Sequence, residues 1–356
     1  MDTLDQPMLD VAEVATMDGQ DKELLNALQW DFPLVPRPFG AVGERIGMSE
    51  DAVLERIERL RRDHVIRQVS AIFDSRKLGY KSSLVAMRFP REREERAVEI
   101  VNAHPGVSHN YQRNHDFNMW FTLTIHWSKD LQEEMDRLAE AAHAAGGRLL
   151  PTLKLYKINV KLDVTGSTDA TAKEETAYKK PTGELKPITK EDILAIRELQ
   201  ADMPTVAEPF APIAERLGVT VPDLLQRAQV FLDNGRMRRF AAVLHHQSAG
   251  FTHNAMSVWN CPDEDVERCG RIIAGFKSIS HAYRRPTYPD WPYALFGMIH
   301  GRCYEDCHAV AEAIQRDTGL EEYALLFSTK EWKKIRVQYF VEDDMTIEDM
   351  VAGQAT

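Results

Sequence analysis

The spacing of apolar residues in the first half of the chain changes from a helical pattern to a strand pattern. Apolar residues three and four positions apart predict helices over residues 22–29, 39–46 and 49–62, and Ser49 is placed to cap the third. Alternating and short apolar runs then predict strands separated by two longer helices. The predicted strands are residues 69–73, 82–89, 109–114, 118–126 and 153–162, and the helices are residues 91–102 and 130–144.

The second half of the chain repeats the first. Residues 28–33 and 44–47 have counterparts at 199–204 and 215–218, an offset of 171 positions, and His109 matches His281 at an offset of 172. A repeat of this length indicates a duplicated structural unit. In the second copy the predicted strands are residues 254–259, 279–285 and 293–300 with a closing stretch over 323–340, and the helices are residues 266–276 and 305–317.

Each copy therefore divides into two domains. Three short helices are typical of a helix-turn-helix, and the following βαββαβ order is typical of a ferredoxin-like domain, so the predicted fold class is α+β with a tandem duplication. We expect the two ferredoxin-like units to pair as an internal pseudo-dimer, with a homodimer left open. The predicted boundaries are a disordered acidic tail (1–20), a helix-turn-helix (21–67), a ferredoxin-like domain (68–162), a flexible linker (163–188), a second helix-turn-helix (189–238), a second ferredoxin-like domain (239–341) and an acidic tail (342–356).

Composition narrows the class of protein. The chain has 356 residues, a formal net charge of −11 and 28% charged residues, and it has no apolar run long enough to span a membrane. Its acidic balance opposes non-specific attraction to nucleic acid. Cys261, Cys269, Cys303 and Cys307 form no C-x-x-C pair, which favours reduced thiols and predicts no metal site. We expect a cytoplasmic protein, because the N-terminus lacks the basic residues of a targeting signal.

Two short stretches carry the candidate chemistry. His109, Tyr111, Arg113 and His115 alternate along one predicted strand, and the second copy places His281, Tyr283 and Arg285 in the same order. Residues two apart share one face of a strand, so each stretch predicts a row of imidazole, phenol and guanidinium groups. Such a row suits a site that binds carboxylates and transfers protons.

The domain order resembles that of the Lrp/AsnC family of transcription regulators. Residues 114–118 (Asn-His-Asp-Phe-Asn) fall where that family has a turn between its middle strands. A recognition helix needs basic and amide side chains, however, and residues 49–59 carry four acids: Glu50, Asp51, Glu55 and Glu58. DNA binding is therefore disfavoured, and the helices are expected to clasp the two halves together.

More specific motifs resemble the siroheme decarboxylases in a fused, two-subunit form of the NirDL type. These motifs are residues 30–33 (Trp-Asp-Phe-Pro), 118–122 (Asn-Met-Trp-Phe-Thr) and 288–293 (Tyr-Pro-Asp-Trp-Pro-Tyr), together with the two alternating rows. The resemblance implies an enzyme that removes carbon dioxide from the two acetate side chains of siroheme. The product would be 12,18-didecarboxysiroheme, an intermediate for heme d1 or for heme itself, and no cofactor beyond the substrate's own iron is implied.

The resemblance also suggests roles for residues. Loss of carbon dioxide leaves a carbanion-like centre that must be protonated, and histidine titrates near neutrality, so it can supply the proton. The candidate catalytic residues are His115, Tyr111, Arg113 and His281, with the first half preferred if only one half is active. The candidate substrate-binding residues are His109, Asn118, Trp120, Tyr283, Arg284, Arg285, Tyr288, Trp291 and Tyr293.

Two alternatives stay open at this stage. A regulator that responds to a tetrapyrrole would bind a promoter at physiological salt. A tetrapyrrole carrier without activity would bind siroheme and release no carbon dioxide.

Overall fold

The computed structural model describes residues 17–30, 32–158, 183–244, 253–341 and 346–352. Most of the predicted acidic tails and of the predicted linker lie outside these residues. Where they are described, residues 19 and 20 begin the first helix and residues 347–352 form the last one. Met350 of this last helix is fully buried, so the predicted C-terminal tail contains a packed segment.

The first half contains the following elements in chain order: α1 (Gly19–Trp30), α2 (Pro38–Ile46), α3 (Glu50–Arg62), β1 (Ile66–Phe73), β2 (Tyr80–Arg88), α4 (Glu94–Ala103), β3 (Val107–Arg113), β4 (Met119–His126), α5 (Leu131–Ala141), β5 (Gly146–Leu150) and β6 (Lys154–Ile158). Ser49 caps α3 as predicted and accepts a hydrogen bond from the backbone N–H of Ala52. The sequence pattern did not indicate β5, because two glycines open this strand and glycine has a low strand propensity.

The second half contains the equivalent elements: α6 (Lys190–Leu199), α7 (Ala211–Leu217), α8 (Val221–Asp233), β7 (Met237–Leu244), β8 (His253–Asn260), α9 (Val266–Gly275), β9 (Ile279–Arg284), β10 (Tyr293–Gly301), α10 (Tyr304–Thr318), β11 (Tyr323–Lys334) and α11 (Ile347–Ala352). Thr189 caps α6 through a capping box with Asp192.

One nine-stranded sheet joins the two ferredoxin-like units, in the order β5-β2-β4-β3-β11-β8-β10-β9-β6. The first four strands and the next four each follow the order of a βαββαβ unit, which confirms the predicted α+β class. β6 and the second part of β11 cross between the halves. β6 pairs with β9, and Ser328–Lys334 of β11 pair with β3.

The two edge strands of this sheet, β5 and β6, are separated by only three residues, so the two ends of the sheet lie close together. Its helix-free faces consequently pack on each other. Trp120 and Leu150 of the first half lie in one buried cluster with Val258, Phe296 and Leu326 of the second. The helices α4 and α5 cover the outer face of the first half, and α9 and α10 cover that of the second.

The helical domains share a single core, as expected of a clasp. β1 pairs with β7 in a separate two-stranded sheet, so β1 does not belong to the ferredoxin-like sheet. Phe32 stacks on Phe240 of the other half at 5.0 Å. Asp202 accepts hydrogen bonds from the backbone of Val69 at 2.8 Å and from Arg61 at 2.5 Å. Within the residues described, none of the helices combines the length and apolarity needed to span a membrane.

The crossing of β6 generates a stability prediction. A Cβ atom added at Gly270 of α9 would lie 2.4 Å from the ring of Tyr156 on β6, whereas one added at Gly275 would meet no atom within 4 Å. Gly270→Ala should therefore push β6 away and lower the free energy of unfolding by about 1–3 kcal/mol. Gly275→Ala is the matched control and should change it by less than about 1 kcal/mol. Denaturant unfolding measures both, and equal effects would contradict the docking of β6.

Candidate active site

The side chains of β3 alternate between the two faces of the sheet. Asn110 and Gln112 donate hydrogen bonds to side chains of α4, at 3.0 and 2.6 Å. His109, Tyr111 and Arg113 therefore point to the opposite face, toward the second half. The first predicted row is present, although it ends at Arg113, where the strand ends.

The second row has the same arrangement on β9. Arg284 points to the helix side, where it forms an ion pair with Asp263 at 2.8 Å. This position does not favour its predicted role as a substrate-binding residue, because a strand turns consecutive side chains to opposite faces. His281, Tyr283 and Arg285 share the inner face.

The contacts inside the two rows match closely. In the first row, the Oγ atom of Ser108 lies 2.9 Å from Nδ1 of His109, and the His109 and Tyr111 rings are 6.4 Å apart. The guanidinium of Arg113 lies 5.8 Å from the centre of the Tyr111 ring. Each of these residues thus contacts the next along the face.

The second row repeats this geometry. The Oγ atom of Ser280 lies 2.7 Å from Nδ1 of His281, and the His281 and Tyr283 rings are 6.0 Å apart. The Arg285 guanidinium lies 4.8 Å from the centre of the Tyr283 ring. Two sequences that differ elsewhere thus form the same constellation, related by the internal repeat.

The arginines of the rows anchor each half to the other. Arg113 donates to the backbone carbonyl of Leu326 in the second half at 2.6 Å, and Arg285 donates to that of Leu150 in the first. Both side chains are buried, and burial lowers the pKa of each to about 10, so both stay charged at neutral pH. These bonds hold the rows in place, while the buried Nε atom of each arginine has no hydrogen-bond partner among the described residues.

The outer members of the rows line a recess. Burial raises the pKa of Tyr111, assisted by the Glu331 carboxylate, and burial also raises the pKa of Tyr283. The tyrosines and their neighbours His109 and His281 nevertheless keep partial contact with solvent. We refer to the partly enclosed space in front of these four side chains as the recess.

Four further arginines border this recess, and the sequence interpretation missed them. Arg67 on β1 lies near Tyr111, and Arg238 on β7 lies near Tyr283. Arg239 follows on β7, where its guanidinium lies 4.9 Å from the centre of the Trp30 ring and within electrostatic range of Arg336, which lies just beyond the end of β11. The sequence repeat could have indicated two of these arginines, because Arg67 and Arg238 are separated by the same offset of 171 that relates the two halves.

The charges of these arginines are only partly neutralised. Arg238 forms an ion pair with Asp74 at 3.0 Å, and Arg67 donates to the backbone carbonyl of Lys334. Burial, and then repulsion from Arg239, lowers the pKa of Arg336 to about 10. Among the described residues the buried Nε atom of Arg336 has no hydrogen-bond partner. A group of mutually repelling guanidinium ions favours binding of a ligand with several negative charges.

His115 lies apart from the row, in the turn between β3 and β4. Its Nδ1 atom accepts a hydrogen bond from the backbone N–H of Phe117 at 3.0 Å, and its ring packs edge-on against Trp291 at 5.3 Å. Burial lowers the pKa of His115 from its ordinary value. An ordinary histidine is about one-quarter protonated at pH 7, and His115 is less protonated than that.

The predicted aromatic and amide residues mainly build structure. Trp120 and Trp291 are fully buried and pack on each other at 5.1 Å, and the Trp120 indole donates to the carbonyl of Phe117. Asn118 exchanges two hydrogen bonds with the backbone of Phe89, both at 2.9 Å. Neither Trp120 nor Asn118 is placed to bind a substrate directly, because these contacts use their polar groups.

Tyr288 and Tyr293 lie in and beside the loop before β10. The Tyr288 hydroxyl donates to the carbonyl of Leu149 at 2.5 Å, and the Tyr293 ring packs on Trp291 at 5.0 Å. Arg88 and Arg148 both contact Asp290 in this loop, at 3.3 and 2.8 Å. The loop is therefore held against the first half.

The helix-turn-helix arginines are engaged within the protein. Arg56 and Arg59 of α3 both contact the buried Asp21 of α1, at 2.7 and 2.5 Å, and Arg61 contacts Asp202. These side chains would have to break internal ion pairs to reach a phosphate backbone. This arrangement supports the structural role expected of the helices.

Two family models match the chain. The AsnC-like ligand binding domain matches residues 77–157 and 248–333, and the siroheme decarboxylase NirDL-like HTH domain matches residues 21–67 and 192–238. The siroheme decarboxylase of Hydrogenobacter thermophilus is 39% identical over 92% of this chain and 97% of its own length. This chain belongs to the siroheme decarboxylase family.

Other members of the family share the arrangement. The siroheme decarboxylase NirDL subunit of Paracoccus denitrificans is 30% identical over 88% of this chain and 95% of its own length. The siroheme decarboxylase beta subunit of Methanosarcina barkeri is 42% identical but aligns with only 42% of this chain, using 98% of its own length. A separate subunit in that organism thus corresponds to about one half of this chain.

Solved structures of the siroheme decarboxylase NirDL have the same fold. One is 35% identical with a TM-score of 0.72, covering 94% of this chain and 98% of that one. Another, in complex with an iron-uroporphyrin III analogue, is 35% identical with a TM-score of 0.71, covering 91% of this chain and 95% of that one.

The environment of His115 generates a prediction. Its pKa, measured by NMR titration of the ring, should lie below the ordinary value of about 6.5, because burial disfavours the charged form. Asp116→Asn should lower the pKa further, since the Asp116 carboxylate favours the imidazolium. A pKa above 6.5 in the unaltered protein would contradict the burial seen here.

Proposed function

We propose that this protein is a siroheme decarboxylase that removes carbon dioxide from the two acetate side chains of siroheme and releases 12,18-didecarboxysiroheme. The observation that carries the proposal is the pair of matched His-Tyr-Arg rows facing a recess bordered by Arg67, Arg238, Arg239 and Arg336. A relative of the same fold has been solved with an iron-uroporphyrin III analogue, a macrocycle of the same kind.

The electrostatics favour a substrate with many carboxylates. The free energy cost of holding several guanidinium ions together is offset when carboxylates bind between them, and each arginine can offer a forked pair of donors. Siroheme carries carboxylates around its rim, so an arginine group on one side of the recess would fix the orientation of the macrocycle. Arg113 and Arg285, which the sequence suggested for this role, are better placed to hold Tyr111 and Tyr283.

The need for a proton donor in the reaction indicates which histidines take that role. When the bond between the acetate methylene and the carboxyl carbon breaks, the electron pair stays on carbon, carbon dioxide leaves, and one proton is taken up to form a methyl group. His109 and His281 lie in the rows beside a tyrosine and keep contact with solvent. We assign proton donation to these two, while a catalytic role for His115 stays a prediction that its low pKa does not favour.

The reaction in this form consumes protons and no electrons, so we propose that it needs no cofactor beyond the substrate's own iron. We further propose that the fused halves act as a pseudo-dimer in the cytoplasm. The role of a promoter-binding regulator is less favoured, because Arg56, Arg59 and Arg61 of α3 form ion pairs with carboxylates of the same chain.

Activity is tested by anaerobic incubation with siroheme. Mass spectrometry should show two successive losses of carbon dioxide from the substrate. Siroheme binding without any loss would instead indicate a tetrapyrrole carrier and would overturn the proposed activity.

The histidine assignment is tested by substitution. His109→Ala and His281→Ala should each lower the rate of decarboxylation by about a hundredfold or more, since a general acid contributes on that scale. Siroheme binding, followed by absorbance, should change only a few-fold. His115→Ala is compared in the same assay, and a larger loss of rate in that variant than in the other two would reverse the assignment.

The arginine group is tested with a matched control. Arg238→Gln should raise the dissociation constant for siroheme roughly tenfold to a hundredfold, because one charged hydrogen bond is lost. Arg284→Gln removes the same charge from the opposite face of β9, where Arg284 contacts Asp263, and should leave binding within about twofold. Equal effects would show that overall charge, and not the recess, determines affinity.

A further inference from the structure

A chain of hydrogen bonds connects the second row to the end of its sheet. The Oγ atom of Ser280, which contacts Nδ1 of His281, also lies 2.6 Å from Nε2 of His300 on β10. Nδ1 of His300 lies 2.6 Å from Oδ1 of Asn254 on the neighbouring strand β8. Three hydrogen bonds therefore join Asn254 to the His281 imidazole through His300 and Ser280.

The chemistry of these groups gives the chain of hydrogen bonds a direction. An amide oxygen can only accept a hydrogen bond, so Nδ1 of His300 carries a proton that it donates to Asn254. Nε2 of His300 is then the atom that gains or loses a proton toward Ser280. A serine hydroxyl both donates and accepts, so Ser280 can take a proton from His300 and pass its own to Nδ1 of His281.

The two ends of the chain have different access to water. Ser280 is buried, whereas His300 and Asn254 keep partial solvent exposure at the strand end. A bound macrocycle would cover the recess side of His281. The path through Ser280 leaves from the other ring nitrogen and stays open while the recess is filled.

The equivalent histidine of the first half has a different environment. His126 is fully buried against Tyr80, and its Nδ1 atom contacts Ser128 at 2.8 Å in the turn after β4. The residue paired with this histidine on the neighbouring strand is Asn254 in the second half and Tyr80 in the first, a difference that supplies the acceptor for His300. The repeat thus keeps the histidine and changes its partner.

We propose that His300, oriented by Asn254, supplies a proton through Ser280 to His281 during each decarboxylation that His281 serves. The inference rests on the proposed function. A proton from water enters at His300, the Ser280 hydroxyl accepts it and releases its own proton to Nδ1 of His281, and His281 gives the proton on its other nitrogen to the substrate carbon. When the product leaves, the His281 ring regains its starting tautomer by exchanging protons with water. Each turnover moves one proton from solvent to product and requires no oxidant or reductant. His300 and Ser280 are positioning and proton-supply residues, since neither touches the substrate.

The test compares two serines that each contact a histidine ring. Ser280→Ala should lower kcat roughly tenfold or more with the siroheme dissociation constant within twofold, because the proton supply is interrupted while the recess is unchanged. Ser128→Ala removes the hydroxyl that contacts His126 in the first half and should leave kcat within twofold. Ser280→Thr keeps a hydroxyl and should retain most of the rate.

His300→Ala supplies an independent readout. This variant should show the same fall in kcat, and added imidazole, which can carry a proton to the vacated position at the strand end, should restore part of the rate. The unaltered enzyme should show no response to imidazole. The rate of the variant should also rise with buffer concentration, a response that loss of structure alone would not produce.

The outcomes separate this inference from the proposed function. If the unaltered protein releases no carbon dioxide from siroheme, the proposed function fails. If it does so while Ser280→Ala and His300→Ala keep the full kcat, the relay is overturned. A fall in kcat that Ser280→Thr shares and imidazole does not restore would assign these residues a structural role and would equally overturn the relay.

Discussion

The exchange of closing strands between the two halves is the interaction on which the rest of the structure depends. β6 pairs with β9, and the second part of β11 pairs with β3, so each row of functional residues lies on a strand whose neighbour comes from the other half. The carbonyls that hold Arg113 and Arg285, those of Leu326 and Leu150, also come from the other half and lie just before the crossing segments. Neither row could therefore be positioned by its own half alone.

This arrangement explains how a scaffold with helix-turn-helix domains can carry an enzyme's active site. The helical domains bury their apolar faces in a shared core, and Asp21 engages arginines of α3 that would otherwise be available to phosphates. The two-stranded sheet of β1 and β7 instead carries Arg67 and Arg238 to the recess. Basic residues that would serve nucleic-acid binding at the surface here create a local positive field inside an acidic protein.

The two halves are similar where the site is built and different where it meets solvent. The His-Tyr-Arg contacts repeat to within about an ångström, yet His126 is buried beside Ser128 while His300 reaches the surface beside Asn254. After a duplication, a residue in one copy can change its contacts while its counterpart keeps them. Different partners for equivalent histidines can thus give two rows of the same geometry unequal access to protons.

The sequence alone determined the duplication and the α+β class, because repeated residues and the order of the elements are local properties of the chain. It also determined the two rows, because strand periodicity fixes which side chains share a face whatever their neighbours are. The same rule places Arg284 on the outer face, where it contacts Asp263. Only the tertiary structure decided that Trp120 is buried, that Asn118 bonds to the backbone of Phe89, that His115 leaves the row in a turn, and that Arg67, Arg238, Arg239 and Arg336 converge. These four arginines come from three separate segments, and their proximity depends on long-range strand pairing that local spacing does not encode.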